Sequence, residues 1–284
     1  MDRLLAGTAG TVAIVTRGPD GLPLDATGDV TATVRDGAGL QVQTGVAIRT
    51  APGTYQITVP AAITLLLDQY AVTWQGTFAG SANTYVTHFS TVGGFMFSTA
   101  ELRAAFEELA SAAKYPEASL QSARREVEDS IQVYCGASFV PRARRAVLSG
   151  DGSPSLVVPD LWPRVVKSAY VGGVPLTGAE LADLAPDETG IVIRASLGTW
   201  SAGTRNVSIH YEYGWLEPPA DLRWAAIQAA RGYVVRNPVP QRALSESTDV
   251  GVVRFAIAGR DGCFGVPDAD AVIDRYRFRV PRVA

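Results

Sequence analysis

The sequence predicts a multidomain α+β protein, with an N-terminal antiparallel β-sandwich followed by an α-helical bundle domain that carries a β insertion. Three observations lead to this fold class. Apolar and polar residues alternate through residues 1–93, which is the period of half-buried strands. After residue 96 the apolar spacing changes to that of amphipathic helices, and between about 144 and 215 strand-like runs return.

Composition restricts the class of protein. The chain has 284 residues, 47% of them hydrophobic and 19% charged, which is typical of an ordered globular protein. A net charge of −3 argues against a general electrostatic attraction to nucleic acid. Its two cysteines, Cys135 and Cys263, are too few for a disulfide framework or a zinc site, so we expect both to pack as small apolar residues. No cofactor is expected.

The longest apolar stretch, Ala61 to Leu67, is much shorter than the ~18 residues that a membrane helix needs. The N-terminus has no apolar run long enough for an export signal. We therefore expect a soluble chain that is made in the cytoplasm and has no membrane partner.

The first domain, residues 1–93, is expected to contain about seven short strands, a number and spacing typical of a β-sandwich. The turns between them are marked by the segment Gly18–Gly21, by Asp36-Gly37 and by Pro52-Gly53. Trp74 and Tyr55 are the predicted core anchors. The expected strands are 11–16, 30–34, 40–42, 46–48, 55–59, 70–74 and 84–89.

The second domain, residues 96–284, begins after a hinge at Gly93-Gly94 and is expected to fold independently of the sandwich. Its first helix is capped by Ser98 or Thr99 and stops at Lys114-Tyr115-Pro116; the second carries an apolar stripe and ends at Gly136. These two are expected to form a helical hairpin. The expected apolar positions are Leu102, Ala105, Phe106 and Leu109 in the first helix and Leu120, Ala123, Val127, Ile131 and Tyr134 in the second.

Two further helices are predicted beyond the β insertion, whose strands are expected at 165–171, 191–195 and 206–213. Pro218-Pro219 opens a third helix, and the segment Pro267–Asp270 caps a short last helix that runs to about Tyr276. The buried face of the third helix is expected to consist of Leu222, Ala225, Ala226, Ala229 and Tyr233.

Residue types that perform chemistry are present, but not in catalytic patterns. The histidines, His88 and His210, lie in predicted strands, and no nucleophile elbow accompanies them. Acidic residues beside Arg124 and Arg125 indicate a solvated charged face, and Asp268 indicates a helix cap. No phosphate-binding loop occurs either. The acidic residues considered as paired catalytic carboxylates or calcium ligands are Glu107, Glu108, Glu126, Glu128, Asp129, Asp268 and Asp270.

Two parts of the chain resemble known families. The segments Gly53–Val59 and Tyr70–Trp74 resemble strands of the immunoglobulin-like accessory domains found on phage virion proteins. The second domain resembles the head-to-tail adaptor (connector) proteins of long-tailed phages, especially those of actinobacteria. Four stretches carry this second resemblance: Tyr115–Glu128; Phe139–Arg142; Tyr211–Gly214 with Pro218–Arg223; and Gly265–Asp270 with Arg275-Tyr276.

The resemblance implies a structural virion protein and not an enzyme. It implies a ring, of twelve copies in the virion, that sits beneath the portal protein and receives a stopper or tail-terminator protein on its other face. The genomic DNA would pass through without sequence-specific contacts. A minimal adaptor lacks the N-terminal sandwich, so the sandwich is expected to decorate the outside of the neck.

Two sets of residues are candidate contact sites. Arg142, Arg144 and Arg145 form the densest basic cluster; they are expected to contact a neighbouring ring or neck subunit, with contact to the passing DNA as the alternative. In the C-terminal segment, arginines alternate with apolar residues, which would let an extended strand add to a sheet edge of the portal. The alternative is that Phe278 and Val280 pack back on the same protomer. The expected portal-contact residues are Arg277, Phe278, Arg279, Val280 and Arg282.

Three alternatives remain open at this stage. The chain could be another neck or tail protein, such as a stopper or a decoration protein. It could be a carbohydrate- or surface-binding module that uses the β-sandwich, although Trp74 and Tyr55 are in phase with buried positions. An enzyme is the weakest alternative.

Overall fold

The computed structural model describes residues 2–235, 245–248, 251–254 and 264–278. Within these residues the chain is mixed α+β, with five α-helices and several β-sheets. Its contacts divide it into two compact units. Residues 1–94 and 141–213 form the first, which we call the β unit; residues 95–140 and 214–284 form the second, the helical unit. The β insertion thus groups with the N-terminal strands.

The N-terminal part of the β unit contains two sheets. One has the strand order β1-β8-β7-β3-β4, in which β1 and β8 are parallel and the other pairs antiparallel, and the second has the order β2-β6-β5. The short strand β1 was not predicted. The strands are β1 Asp2–Leu5, β2 Gly10–Val15, β3 Thr31–Arg35, β4 Gln41–Val46, β5 Ile48–Ala51, β6 Thr54–Val59, β7 Gln69–Phe78 and β8 Ser81–Val92.

The two sheets share one hydrophobic core. Trp74 and Tyr55, the predicted anchors, are 0% and 3% exposed. The Trp74 indole donates a hydrogen bond to the Thr87 hydroxyl (2.8 Å), and the Tyr55 hydroxyl accepts one from the Ala26 amide (2.6 Å). Both aromatic residues therefore bury their rings and satisfy their polar atoms, as buried Trp and Tyr generally do.

Tyr70, at the start of β7, fixes the segment that connects β6 to β7 through a hydrogen bond, and its ring packs in the core. Its hydroxyl donates to the Ile63 carbonyl (2.8 Å), and its ring stacks on Phe89 with a centroid separation of 4.7 Å. Burial raises the pKa of Tyr70 to about 12, because the phenolate would lose its hydration there.

The predicted Pro52-Gly53 turn requires its glycine. Gly53 has a φ of +64°, and a Cβ at this position would lie 2.7 Å from the Thr16 carbonyl oxygen and 2.9 Å from the Leu24 nitrogen. Its amide donates to the carboxylate of Asp25 (2.7 Å). The turn is thus held by contacts with residues far away in the sequence.

The insertion adds two more sheets and a short helix, with the sheet orders β12-β11-β15-β9 and β10-β14-β13. Trp200 and Tyr211 are fully buried in the core of the insertion. The elements are β9 Arg142–Gly150, β10 Ser155–Val157, β11 Pro163–Val171, β12 Val174–Pro175, α3 Gly178–Ala182, β13 Leu184–Pro186, β14 Ile191–Arg194 and β15 Gly203–Tyr213.

The three predicted strands of the insertion are confirmed as β11, β14 and β15, but β9 was missed. Its first four residues include three arginines, so it shows no apolar alternation. It forms because its backbone pairs with β15, from Arg142 opposite Tyr213 to Leu148 opposite Val207. Helix α3 was also missed; it is only 5 residues long and starts with a capping box between Thr177 and Glu180.

In the helical unit, α1 begins as predicted at a Ser98 cap, with Glu101 completing a capping box, but it ends earlier than predicted. Phe106 is extended, with φ −139° and ψ 113°. The guanidinium of Arg103 donates to the carbonyls of Leu109 (2.7 Å) and Tyr115 (2.8 Å), so the irregular segment keeps its hydrogen bonds without continuing the helix. The elements here are α1 Thr99–Ala105 and a 3-10 turn Glu107–Leu109.

The longer helices follow the predicted apolar stripes with two exceptions, Tyr134 and Tyr233. Tyr134 is only half-buried in α2, and Tyr233, in the last turn of α4, is 52% exposed, so its predicted burial was wrong. Cys135 is buried in α2, as predicted. Gly136 ends α2 with a φ of +71°, as predicted. Helix α2 packs against α4, and α4 against α5. These helices are α2 Glu117–Cys135, α4 Ala220–Val234 and α5 Pro267–Arg275.

The start of α5 is satisfied by Asp270 and not by Asp268, which was the predicted cap. The two carboxylate oxygens of Asp270 accept hydrogen bonds from the amides of Phe264 (2.8 Å) and Val266 (3.0 Å). Strands β16 Ser245–Thr248 and β17 Gly251–Arg254 pair antiparallel. Cys263 lies outside the described residues.

Candidate contact sites

The three arginines of the predicted ring or neck contact all lie on β9, at the edge of its sheet. Side chains alternate between the faces of a strand, so Arg142 and Arg144 share one face and Arg145 lies on the other. The register confirms this division, because Arg144 is opposite Tyr211 and Arg145 is opposite His210. The basic cluster of the sequence is therefore split between two environments.

Arg144 belongs to a partly buried polar cluster with Asp160 and Tyr211. Its guanidinium lies 3.2 Å from one carboxylate oxygen of Asp160, and the Tyr211 hydroxyl donates to the other oxygen (2.6 Å). Burial raises the pKa of Asp160, although the hydrogen bond from Tyr211 and the charge of Arg144 oppose this shift. Burial and the bond to Asp160 also raise the pKa of Tyr211. The cluster holds the loop containing Asp160 against β15.

Arg145 forms a two-point ion pair with Asp68, which precedes β7 in the N-terminal part of the β unit. Its Nη2 and Nε atoms lie 2.8 Å and 3.2 Å from the two carboxylate oxygens. The side chain of Asp68 is only 8% exposed. The imidazole Nε2 of His210 lies 3.7 Å from Asp68, which is too long for a hydrogen bond.

The structure thus pairs Arg144 and Arg145 with carboxylates of the same chain. Their side chains remain 38% and 31% exposed, so each still reaches the surface beside its partner. Sequence reasoning missed Asp68 and Asp160 because each is separated from its arginine along the chain. The only sequence signal was that both acids follow apolar runs, where an unpaired carboxylate would be costly.

The described part of the predicted portal contact, Arg277 and Phe278, packs on the end of α2. The guanidinium of Arg277 lies 4.8 Å from the centre of the Tyr134 ring, and the Phe278 amide donates to the Cys135 carbonyl (2.9 Å). The Phe278 side chain is 44% exposed. Arg279, Val280 and Arg282 lie outside the described residues.

An aromatic cluster lies next to this segment within the helical unit. The ring of Phe139 is 5.9 Å from Trp215 and 5.8 Å from Tyr276, measured between centroids. The Tyr276 hydroxyl donates to Asp221 at the start of α4 (2.7 Å), and Arg275 pairs with the same carboxylate (3.1 Å). The chain after α2, the start of α4 and the end of α5 therefore meet at one place.

Two of the acidic residues considered as catalytic pairs, Glu108 and Glu128, have structural partners. Glu108 pairs with Arg231 (2.6 Å). Glu128 is 1% exposed, and its carboxylate accepts a hydrogen bond from the Met96 amide (2.7 Å). The guanidinium of Arg124 lies 3.6 Å from the centre of the Phe95 ring, and burial lowers its pKa. The predicted solvated charged face was therefore wrong at Glu128.

The histidines differ in environment: His88 is exposed on β8, while His210 is largely buried on β15. Burial, together with the charge of Arg145, lowers the pKa of His210. Among the described residues, no group of three or more His, Cys, Asp or Glu side chains is arranged to hold a metal ion. No helix in the same part of the chain is long and apolar enough to cross a membrane.

The chain is similar to chains in solved structures of known particles. No model of a known protein family and no curated protein matches the chain. A chain in the neck of an empty gene transfer agent particle is similar with a TM-score of 0.44 and 19% identity, over 65% of this chain and 91% of that chain. A chain in the virion of a native gene transfer agent particle is similar with a TM-score of 0.43 and 18% identity, over the same shares.

Proposed function

We propose that this chain is a structural, non-enzymatic component of a tailed-bacteriophage particle: a head-to-tail adaptor that forms a ring beneath the portal. The observation that carries the proposal is that parts of all four stretches resembling the adaptor family, far apart in sequence, lie in the helical unit. Phe139, Asp221 and Tyr276 come from three of the four resembling stretches, and they form or border the same aromatic cluster. The remaining stretch begins α2, which packs against α4.

The N-terminal sandwich belongs, in this proposal, to the immunoglobulin-like class. Its strand orders β2-β6-β5 and β8-β7-β3-β4 correspond to the B-E-D and G-F-C-C′ orders of that fold. Tyr70 supports the assignment further. Tyr70 lies at the start of β7, which corresponds to strand F. Its hydroxyl donates a hydrogen bond back to the Ile63 carbonyl, which is the arrangement of a tyrosine corner.

In the particle, copies of this chain form a ring, twelve by family resemblance, between the portal and a stopper or tail-terminator protein. The DNA passes through without sequence-specific contacts. Arg142, Arg144 and Arg145 contribute to the ring or neck contact through β9, which is an edge strand; the side chains of Arg144 and Arg145 are partly exposed. The exposed face of Phe278, together with Arg277, Arg279, Val280 and Arg282, provides the portal contact.

Deleting the gene from the phage that encodes this chain tests the proposed role. We expect infected cells to contain DNA-filled heads and complete tails that are not joined, as seen by electron microscopy. Supplying the intact chain from a plasmid should restore joined particles. Normal joined particles in the absence of the chain would contradict the proposal.

The portal contact is tested by truncation in the same complementation assay. A chain that ends after Tyr276 should fold, as judged by circular dichroism, but fail to join tails to heads because it lacks Arg277 to Arg282. The matched control ends after Arg282 and keeps all five proposed contact residues, so it should support joining. If the shorter chain joins tails as well as the control does, the C-terminal contact is wrong.

The alternative of a surface- or carbohydrate-binding module gains no support from the sandwich. Such a module would present aromatic rings on one exposed sheet face. Trp74 and Tyr55 instead lie in the core between the sheets. The buried aromatic residues therefore favour the adaptor proposal over a binding module.

A further inference from the structure

Within the β unit, the N-terminal sandwich and the insertion are joined by a compact set of polar groups. Asp68, from the sandwich, is almost fully buried and accepts both hydrogen bonds of the Arg145 guanidinium, from the insertion. Two parallel bonds fix both the distance and the orientation of the partners, which a single contact does not. The pair is therefore suited to hold one part of the chain in register with another.

The backbone around Asp68 is fixed independently. The Asp68 amide donates to the Thr91 hydroxyl (2.7 Å), and the Thr91 amide donates to the Asp68 carbonyl (3.0 Å). Gly37 leaves the space that the pair occupies, because a Cβ there would lie 2.6 Å from both Arg145 Nε and Asp68 Oδ1. The carboxylate is thus presented by a rigid frame from the sandwich.

A second attachment lies where the chain leaves the sandwich. The Gly93 amide donates to the Pro141 carbonyl (2.9 Å), and a Cβ at Gly93 would lie 2.7 Å from the proline ring. The Gly93-Gly94 segment, which the sequence marks as a hinge, is therefore held at its first glycine. The Asp68–Arg145 pair and the Gly93–Pro141 contact together prevent a rotation of the sandwich relative to the insertion that either contact alone would permit.

His210 lies beside the ion pair, on the strand next to Arg145. The charged groups that face it are Asp68 from the sandwich, Arg145 on β9, Lys167 on β11 and Glu212 on β15. Lys167 and Glu212 pair with each other (2.8 Å), so Asp68 is the carboxylate shared by Arg145 and His210. Protonation would place a positive charge on a largely buried imidazole, where its desolvation and its repulsion by Arg145 exceed its attraction to Asp68.

We propose that Asp68 and Arg145 form a latch that holds the sandwich and the insertion in one fixed arrangement, and that protonation of His210 releases it. The sandwich is then a rigid extension of the insertion, and not a freely hinged appendage. Desolvation and Arg145 lower the pKa of His210, so the latch is complete above the ordinary histidine pKa of 6.5. The latch weakens as the pH falls from 6.5 through the lowered pKa of His210, because His210 binds a proton more readily when the Asp68–Arg145 pair is broken.

The distance between the two parts, measured by electron spin resonance, tests the latch. Spin labels are attached to Thr84→Cys in the sandwich and Val174→Cys in the insertion, both exposed positions. Cys263 is replaced by serine, and Cys135 is kept because it is buried. At neutral pH we expect a single narrow distance distribution in the full-length chain, and a broad one at a low pH, below the lowered pKa of His210.

Two substitutions separate the ion pair from the histidine. Asp68→Asn should broaden the distribution already at neutral pH, because the amide cannot hold the guanidinium by charge. His210→Gln should keep it narrow at both pH values. If Asp68→Asn does not fold by circular dichroism, Arg145→Lys replaces it, since lysine lacks the two-point geometry. A narrow distribution in the ion-pair variant, or an unchanged pH response in His210→Gln, would overturn the proposal.

The matched control is Asp25→Asn. Asp25 also holds an arginine at two points, with Arg49 Nε and Nη2 at 2.7 Å and 2.6 Å from its two oxygens, but both residues belong to the sandwich. Losing this pair should leave the distance distribution narrow. Equal broadening in the control would show that the ion pair acts on general stability and not as a latch.

Discussion

At the scale of single residues, buried carboxylates in the described part of the chain depend on specific hydrogen-bond donors. Asp68, Glu128 and Asp160 are each buried or nearly so, and each accepts hydrogen bonds from donors elsewhere in the chain. A buried charge without partners destabilises the folded state. Substitution of one partner therefore lowers stability, because it leaves the other group buried and unpaired. These carboxylates are therefore sensitive positions for stability, whatever their surroundings contribute to assembly.

Glu128 gives the clearest single-residue prediction. Glu128→Met keeps the volume but removes the acceptor of the Met96 amide, which stays buried. We expect the free energy of unfolding to fall by about 1–3 kcal/mol, the cost of leaving a buried donor unsatisfied. The control is Glu126→Met on the exposed side of the same helix, with urea denaturation as the measurement. Equal losses for the two variants would exclude the role assigned to the Met96 bond.

At the scale of elements, turns and helix ends depend on contacts with distant residues. Helix α1 stops at Ala105 although apolar residues continue, because Arg103 satisfies the carbonyls of the following irregular segment. The turn at Gly53 contacts the backbone of the Thr16 and Leu24 segment. An element boundary in this chain is thus set partly by its neighbours.

The turn at Gly53 is tested against a second glycine of similar conformation. Gly21 has a φ of +78° with no atom within 4 Å of a Cβ, so Gly21→Ala should cost only the left-handed strain. That strain is about 1–2 kcal/mol. Gly53→Ala should cost clearly more, because its Cβ would also overlap the Thr16 carbonyl. Equal midpoints of thermal unfolding in the two variants would contradict this steric explanation.

At the scale of the whole molecule, the contacts group the insertion with the sandwich, while the chain order places it within the helical segment. The domain boundary near residues 93–96 that the sequence predicts implies that residues 96–284 fold without the sandwich, and this remains a prediction. It is tested with the fragment 96–284, which contains the helical unit and the insertion but lacks Asp68.

We expect this fragment to fold and to keep the helical circular dichroism signal of α2, α4 and α5. Strands β9 and β15 should exchange amide hydrogens faster than in the full-length chain, because Arg145 loses its partner there. Helix α2 is the internal reference and should be protected equally in both. A fragment without helical signal would show that residues 96–284 do not form an independent domain.

The sequence by itself determined the elements whose signal is local. Alternation predicted the strands around Tyr55 and Trp74 and their burial, and apolar spacing predicted most of α2 and α4 with the glycine that ends α2. These signals suffice because the period of apolar residues reflects which face an element buries. The class of the chain, α+β with strands before helices, followed from the same patterns.

Tertiary structure decided the features that join residues distant in sequence. Strand β9 exists because β15 offers it a hydrogen-bonding edge, and its arginines are divided by the pleat between Asp160 and Asp68. Of the candidate sites, the sequence found the basic cluster but not its partners. The physical reason is that charge pairing, like sheet pairing, depends on distance in space, and the separation of Asp68 from Arg145 along the chain carries no periodic signal.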